Sequence, residues 1–216
     1  MLKEMKPYYL GNVIAANDLD VIRVAVPTSY ALPHCVVVEA KFGHCLAGTK
    51  LKGIAKKKNA RFIVDTSGDA LEHAVAEGVF LIKPNLRELF ALAGLKKLDP
   101  GSIEGIGKGI LAKGKCEIIV VSMGAAGAML ITNDRTESIT PPVVPIKSTV
   151  GAGDSMVAGI VFYLSQGKEI IDAARYGVAC GTAATMNPGT SLCKKKDADM
   201  LFRVIQADQH DLKMPA

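Results

Sequence analysis

The sequence predicts an α/β fold: a mostly parallel β-sheet flanked by helices. From residue 51 onward, short segments rich in β-branched residues alternate with helical segments, a pattern typical of parallel strands joined by helices. Hydrophobic residues make up 49% of the 216 residues, whereas aromatic residues make up 5% and Trp is absent. A chain of this length and composition is expected to bury a substantial core of Val, Ile, Leu and Ala.

The predicted elements up to residue 122 alternate regularly. Strands are predicted at 61–65, 79–82 and 117–122, the last being the most strand-like segment of the chain. Helices are predicted at 69–77, at the segment that carries Leu86, Leu89, Phe90 and Leu92, and at 103–112. Gly78 and Gly114 lie where two of these helices are expected to end.

The pattern changes after Gly124. Three strand candidates follow one another without intervening helices, at 128–132, 138–141 and 143–146. This arrangement predicts antiparallel pairing at one edge of the sheet. Three helices are then predicted to begin near Ala152, Glu169 and Asp197.

Residues 1–50 do not follow this pattern. Residues 12–50 contain apolar stretches without clear helix caps and without a sustained period. We therefore divide the chain into an atypical N-terminal segment, residues 1–50, and a regular part, residues 51–216.

The charge distribution argues against a nucleic-acid-binding protein, and the cysteine content indicates the cellular compartment. The net charge is +5, from 26 basic and 21 acidic residues, and the excess lies in short lysine runs, Lys56–Lys58 and Lys194–Lys196. Runs with so little aromatic interleaving favour a solvated surface over a nucleic-acid-binding one. The five cysteines are an odd number without regular spacing, which favours reduced thiols and a cytoplasmic location.

Neither a zinc site nor a membrane segment is predicted. His34–Cys35 and His44–Cys45 are pairs of adjacent residues, a spacing that does not match zinc ligands. No apolar run approaches the ~18 residues that a membrane-spanning helix needs, and the N-terminal residues do not form a signal peptide. We expect a cytoplasmic protein that binds neither membranes nor nucleic acids.

The most informative segment is Ser148–Ser155, STVGAGDS, which leads into an apolar helix. N–H groups at the start of a helix bind anions, and glycines allow the backbone to approach a phosphate closely. Asp154 lies where it would accept a proton from an attacking hydroxyl. A simple turn with a helix cap is the alternative, because Asp and Ser are common capping residues. A dinucleotide fingerprint is disfavoured because Met156 occupies the position of its third glycine.

Two further clusters lie at predicted strand ends, where α/β sheets bind ligands. In the first, Asn85 and Glu88 are three residues apart at a helix start, where their oxygens would hold Mg²⁺ through water. A capping box is the alternative there. In the second, residues 122–127, SMGAAG, bring two glycines to a strand end. That segment suits a nucleotide phosphate or ribose, and a β-hairpin connection is its alternative.

Together these motifs resemble the ribokinase-like, PfkB-type sugar kinases. DTSG at 65–68, KPN-x-x-E at 83–88, S-x-G-x-x-G at 122–127 and STVGAGD at 148–154 occur in that family's order, followed by AATMNPGT at 183–190. The resemblance covers residues 51 to about 208. It is greatest to the branch that acts on phosphorylated ketohexoses, with the 6-phosphofructokinases nearest, beside 1-phosphofructokinases and tagatose-6-phosphate kinases.

The resemblance implies a role for each motif residue. Asp154 would be the general base, and the backbone N–H groups of Gly151, Ala152 and Gly153 would stabilise charge on the transferred phosphoryl group. Lys83 would contact the ATP phosphates, and Asn85 and Glu88 would organise Mg²⁺ through water.

The resemblance also implies nucleotide and cation contacts. The residues lying along the nucleotide would be Ser122, Gly124, Gly127 and Asn187. A monovalent cation, for which K⁺ is the candidate, would be bound largely by carbonyls at Ser148, Val150, Ala184, Asn187, Gly189 and Ser191. Full-length relatives would be homodimers.

The implied activity is the ATP-dependent phosphorylation of fructose 6-phosphate at its 1-hydroxyl. The alternative substrates are fructose 1-phosphate and tagatose 6-phosphate, because the residues that distinguish these sugars lie in the N-terminal part of the family's proteins. An inactive nucleotide-binding remnant is the alternative from another class.

The N-terminal part of the family has no counterpart in this sequence. The segment His34–Gly43 departs from the SGSLPPG-like segment that precedes DTSG in the family. We therefore expect a fold that lacks the N-terminal strands and lid, and a truncated reading frame in which residues 11–50 are diverged or out of frame.

Overall fold

The computed structural model describes residues 22–24, 34–40, 60–95 and 103–211. The strands found there are β1 (Ile22–Val24), β2 (His34–Ala40), β3 (Ala60–Asp65), β4 (Val79–Ile82), β5 (Cys116–Ser122), β6 (Ala128–Ile131) and β7 (Thr136–Ile139). The helices are α1 (Asp69–Glu77), α2 (Leu86–Leu92), α3 (Ile103–Leu111), α4 (Ala152–Ser165), α5 (Ile170–Thr185) and α6 (Lys195–Asp211). The predicted α/β class is confirmed.

The strands form one mixed sheet in chain order, from β1 to β7. Strands β2 to β5 pair in parallel, and β1 pairs with β2 in the antiparallel direction. The connections 123–127 and 132–135 are too short for the crossover that a parallel pair requires. The edge formed by β5, β6 and β7 is therefore antiparallel.

The described chain forms two compact units. The sheet unit contains residues up to 123 together with 129–137, and the helical unit contains 124–128 and 138 onward. In the sheet unit, α1, α2 and α3 bury apolar side chains with those of β3, β4 and β5 in one core. This core fixes the strand ends, where the motif residues of the unit lie.

In the helical unit, α4 and α5 approach each other through glycines, and α5 and α6 share an aromatic cluster. The ring of Tyr163 on α4 stacks on that of Tyr176 on α5 at 4.0 Å, and Phe202 on α6 meets Tyr176 edge-on at 5.3 Å. Both contacts bury large aromatic surface, which stabilises the packing of the three helices against one another.

The predicted strand at 143–146 is wrong. Residues 141–149 have no regular structure, and Val143 is fully exposed. Pro141, Pro142 and Pro145 lack the N–H donor that a strand ladder needs and fix their φ angles. The strand predicted at 138–141 lies at Thr136–Ile139 instead, directly after the turn that Arg135 N–H closes on Thr132 Oγ1.

The N-terminal segment contains two strands that the sequence did not indicate. Strand β2 pairs in parallel with β3, with Val36 opposite Phe62. The His34–Cys35 side chains and the whole of His44–Cys45 lie outside the described residues, as does the rest of the proposed diverged segment.

Candidate functional site

The motif residues fall into two clusters, one in each unit. The strand-end cluster, in the sheet unit, consists of Asp65, Lys83, Asn85, Glu88 and Ser122. Asp65 ends β3, Lys83 directly follows β4, and Ser122 ends β5. Because these strands are adjacent and parallel, their carboxyl ends meet at one edge of the sheet.

The backbone of the segment 83–85 is held from both sides. On one side, Lys83 N–H donates to the carbonyl oxygen of Val64 at 3.4 Å. On the other side, the N–H of Ser122 donates to the carbonyl oxygen of Pro84 at 2.8 Å, and Ser122 Oγ donates to the same oxygen at 3.4 Å. The segment is therefore fixed between the ends of β3 and β5.

Lys83 is a buried cation. Only 6% of the residue is exposed, and its ammonium Nζ lies 3.4 Å from Asp65 Oδ1. A buried ammonium without a counter-charge is strongly destabilising, so the Asp65 carboxylate compensates a cost that the fold would otherwise bear. This pairing was not part of the sequence prediction, although Asp65 lies in the DTSG motif.

Asn85 and Glu88 form the capping box that was the alternative to a magnesium site. Asn85 Oδ1 accepts the Glu88 N–H at 3.0 Å, and Glu88 Oε2 accepts the Asn85 N–H at 2.8 Å. The second carboxylate oxygen of Glu88 is not used by the box. An amide oxygen and a carboxylate fixed side by side are a donor set that fits Mg²⁺ held through water.

The segment 122–127 connects β5 to β6 as a hairpin, which was its alternative interpretation. Gly124 to Ala126 form a 3₁₀ turn, and both Gly124 (φ 61°) and Gly127 (φ 86°) have left-handed backbones. A Cβ at Gly127 would overlap the carbonyl oxygen of Ile139, whereas a Cβ at Gly124 would meet nothing within 4 Å. Gly127 therefore serves the hairpin, and the backbone at Gly124 is open to a ligand.

The helix-start cluster, in the helical unit, consists of Gly151–Asp154 at the start of α4 together with Ser148 and residues 184–193. Gly151 is the N-cap in a left-handed conformation (φ 77°), and no side chain caps the helix. Ala152 N–H donates to the carbonyl of Thr149 at 3.3 Å. Across the described part of the chain, the N–H groups of Gly151, Gly153 and Asp154 meet no acceptor. The carboxylate of Asp154 is exposed in the same turn.

Contacts with α5 and with the segment before α6 hold the start of α4 in place. Ser155 is buried, and its Oγ accepts the N–H of Cys193 at 3.5 Å. A Cβ at Gly181 of α5 would lie 3.1 Å from the carbonyl oxygen of Ala152. The first turn of α4 therefore rests on α5 and on the segment before α6, and its unpaired N–H groups point to a fixed location.

The residues predicted to bind a monovalent cation lie in one loop network. Ser148 Oγ donates to the carbonyl of Gly189 at 2.7 Å and accepts the N–H of Val150 at 3.2 Å. The amide nitrogen of Asn187 donates to the carbonyl of Ala183 at 3.1 Å and to that of Leu192 at 3.3 Å. Asn187 N–H donates to Ala184, and Ser191 N–H to Pro188. The structure thus assigns Asn187 a fold-stabilising role beside any ligand contact.

Cys180 and Cys193 are buried in the helical unit. A hydrogen bond between the two thiols, together with burial, raises the pKa of Cys180 well above its ordinary value. A thiol with a raised pKa is a poor nucleophile. The burial of both side chains therefore indicates a packing role, and the raised pKa disfavours Cys180 as a nucleophile.

A polar network between α5 and α6 had no sequence signal. Tyr176 OH donates to Asp199 Oδ1 at 2.8 Å, and Lys195 Nζ donates to Asp199 Oδ2 at 2.6 Å. Burial, followed by the hydrogen bond to Asp199, raises the pKa of Tyr176 far above its ordinary value. The network satisfies a phenol that is otherwise fully enclosed.

The described residues contain neither a cluster of metal-binding side chains nor a membrane-spanning helix. No three His, Cys, Asp or Glu side chains among them are grouped so as to hold a metal ion. None of their helices combines the length and apolar character needed to cross a bilayer.

Comparison with known proteins points in one direction. The profile described as pfkB family carbohydrate kinase matches residues 44–197. ATP-dependent 6-phosphofructokinase isozyme 2 of Escherichia coli K12 is 39% identical over 155 residues, which are 71% of this chain and 50% of that protein. The 1-phosphofructokinase of Rhodobacter capsulatus is 35% identical over 198 residues, 89% of this chain and 62% of that protein.

A solved structure gives the same result. The crystal structure of phosphofructokinase-2 from Escherichia coli in complex with potassium matches with a TM-score of 0.72 and 35% identity, over 80% of this chain and 56% of that one. The chain spans about half the length of the curated relatives it matches. The predicted fold and the predicted family resemblance are both confirmed.

Proposed function

This chain belongs to the pfkB family of carbohydrate kinases, and we propose that it transfers the γ-phosphoryl group of ATP to the 1-hydroxyl of fructose 6-phosphate. The observation that carries the proposal is the first turn of α4, where an exposed carboxylate and unpaired backbone N–H groups occur together. Phosphoryl transfer needs a proton acceptor and a site for developing negative charge. The names of the relatives support the same chemistry.

In the proposed reaction, the sugar hydroxyl oxygen attacks the γ-phosphorus. The bond from that phosphorus to the bridging oxygen breaks, ADP leaves, and the hydroxyl proton passes to the Asp154 carboxylate. The N–H groups of Gly151 and Gly153 stabilise the charge on the transferred group, whereas the predicted third donor, the Ala152 N–H, already donates to the Thr149 carbonyl. Because these donors are fixed before the substrate binds, they need no reorganisation during the reaction.

The strand-end cluster binds the nucleotide in this proposal. Lys83 contacts the ATP phosphates, and Asn85 and Glu88 hold Mg²⁺ through water. Bound Mg²⁺ would neutralise part of the phosphate charge. The other proposed nucleotide contacts are Ser122, Gly124, Gly127 and Asn187.

A monovalent cation would stabilise the helix-start cluster. The carbonyl groups at Ser148, Val150, Ala184 and Gly189, with Asn187 and Ser191, supply the oxygens. The potassium complex of the Escherichia coli phosphofructokinase-2 supports K⁺ as the ion.

Fructose 1-phosphate is the second candidate substrate, because the Rhodobacter 1-phosphofructokinase matches 89% of this chain. A nucleotide-binding remnant is the third candidate, because the match covers only 50% of the Escherichia coli relative.

A coupled assay of ADP release separates the three candidates. The purified full chain is supplied with ATP, Mg²⁺ and K⁺ and with fructose 6-phosphate, fructose 1-phosphate or tagatose 6-phosphate, and ATP binding is measured in parallel. We expect the highest kcat/KM with fructose 6-phosphate, and an Asp154→Asn preparation controls for contaminating kinases. A highest kcat/KM with fructose 1-phosphate would favour the second candidate. Binding of ATP without turnover of any sugar would favour the third.

A further inference from the structure

We propose that Asp65 is a positioning residue, which holds the Lys83 ammonium in place for the ATP phosphates. The inference rests on the proposed function, since it takes Lys83 to be a phosphate contact. It concerns a residue to which that function assigns no role. The relevant observation is the 3.4 Å distance between Lys83 Nζ and Asp65 Oδ1.

The sheet register places the two residues side by side. Val64 on β3 is opposite Ile82 on β4, so Asp65 and Lys83 follow the last paired position of two adjacent parallel strands. The Lys83 backbone is fixed by the Val64 carbonyl on one side, and by Pro84 and the end of β5 on the other. The Lys83 side chain, by contrast, is a flexible four-carbon stem, so the Asp65 carboxylate sets the position of its ammonium.

The burial of the two side chains differs in a way that suits this role. The Lys83 side chain is 7% exposed, whereas the Asp65 side chain is 19% exposed. The ammonium has three N–H donors, and one ion pair leaves the others for a second anionic partner. A cation already ordered by Asp65 loses less conformational freedom when a phosphate binds.

A purely structural ion pair makes a different prediction from a positioning pair. If Asp65 only stabilises the fold, its replacement lowers the free energy of unfolding and leaves nucleotide affinity unchanged in the folded protein. If Asp65 positions Lys83, its replacement weakens ATP binding, and the weakening requires that Lys83 be present. A double-mutant cycle measures this dependence directly.

The experiment is calorimetric titration of the full chain with MgATP. The variants are Asp65→Asn, Asp65→Glu, Lys83→Met and the Asp65→Asn/Lys83→Met pair. Glu72→Gln, which removes an exposed carboxylate from α1 of the same unit, is the control for lost charge. We expect Asp65→Asn to raise the Kd about tenfold, Asp65→Glu to restore part of the affinity, and Glu72→Gln to match the wild type.

In the Lys83→Met background, we expect the further Asp65→Asn change to alter the Kd by less than about twofold. An unchanged Kd in Asp65→Asn, or an equal loss with and without Lys83, would overturn the inference and leave the proposed function intact. A wild-type chain that binds no MgATP would overturn both. If Asp65→Asn does not fold, Asp65→Ser carries the test, and a wild-type Kd in that variant would overturn the inference.

Discussion

Gly177 of α5 lies directly against the backbone of Met156 in α4: a Cβ at Gly177 would come 2.9 Å from the Met156 carbonyl oxygen. One turn along each helix, a Cβ at Gly159 would lie 2.7 Å from Cys180 Sγ. These contacts leave no room for a side chain, so the two helices approach more closely than larger residues would allow. Because α4 carries Asp154 in its first turn, this packing also fixes the proposed catalytic group.

Replacing Gly177 with Ala is expected to destabilise the protein by about 1–3 kcal/mol, because the added methyl group overpacks the α4–α5 contact. Urea unfolding measures the change. Gly109→Ala in α3 is the matched control, since a Cβ there meets nothing within 4 Å. That control should be neutral or more stable by up to about 1 kcal/mol, as expected for a helical Gly→Ala change. Equal stabilities of the two variants would contradict the packing argument.

Asn187→Asp tests the loop network of the helix-start cluster. The change replaces an N–H₂ group that donates to the Ala183 and Leu192 carbonyls with an oxygen that cannot donate. We expect a loss of about 2–3 kcal/mol, because a buried carbonyl (Ala183) and a half-buried one (Leu192) lose this donor and face a negative charge. Thermal unfolding measures it. Ser191→Ala, at an exposed position of the same loop, should stay within about 0.5 kcal/mol of the wild type.

The helices and strands with correctly predicted bounds are those that a few neighbouring residues define. Helix α1 and strand β4 have the predicted bounds, because Gly78 ends one and a short apolar run defines the other. The prediction of a strand at 143–146 was wrong because the β-branched composition of this segment was considered without Pro145 inside it and Pro141 and Pro142 before it. The sequence was also insufficient for Asn85 and Glu88, because their three-residue spacing is compatible with both a capping box and a site that holds a cation through water.

Long-range pairs were beyond sequence reasoning. Tyr176 and Asp199 are separated by 23 positions and meet across two helices, and no spacing rule predicts such a contact. Asp65 and Lys83 meet because β3 and β4 are neighbours in a particular register. The order of the motifs identified the family, but the partners of the charged groups depended on the fold.

Cys116 should make stability depend on pH in the alkaline range. Burial raises its pKa from near 9 to about 12, so the folded state keeps the proton that the unfolded chain releases. The contribution is therefore complete below pH 9 and is lost as the pH rises toward 12, at roughly 1.4 kcal/mol per pH unit. Urea unfolding between pH 8 and 10.5 should show a steeper decline for the wild type than for Cys116→Val.

Ile118→Val serves as the control for that experiment, since it alters the same strand without removing a titratable group. It should keep the wild-type slope with a uniform offset. If Cys116→Val declines as steeply as the wild type, the thiol does not account for the alkaline loss.

Asp154→Asn should abolish most of the phosphoryl transfer and leave nucleotide binding in place. The amide keeps the size of the side chain but cannot take the proton of the attacking hydroxyl, so kcat should fall by about 10²–10⁴-fold. The N–H groups of Gly151 and Gly153 are backbone groups and are unaffected, so the Kd for MgATP should change by less than about twofold. Coupled kinetics and calorimetry measure the two quantities on one preparation.

The control is Asp134→Asn, which removes an exposed carboxylate from the β6–β7 turn and should retain wild-type kcat. A loss of kcat smaller than about a hundredfold in Asp154→Asn is too small for a general base, and would leave Asp154 with an electrostatic role only. A large rise in the Kd for MgATP would instead show that the carboxylate organises the nucleotide. Only the combination of low kcat and unchanged Kd assigns proton transfer to Asp154, because it separates the chemical step from binding.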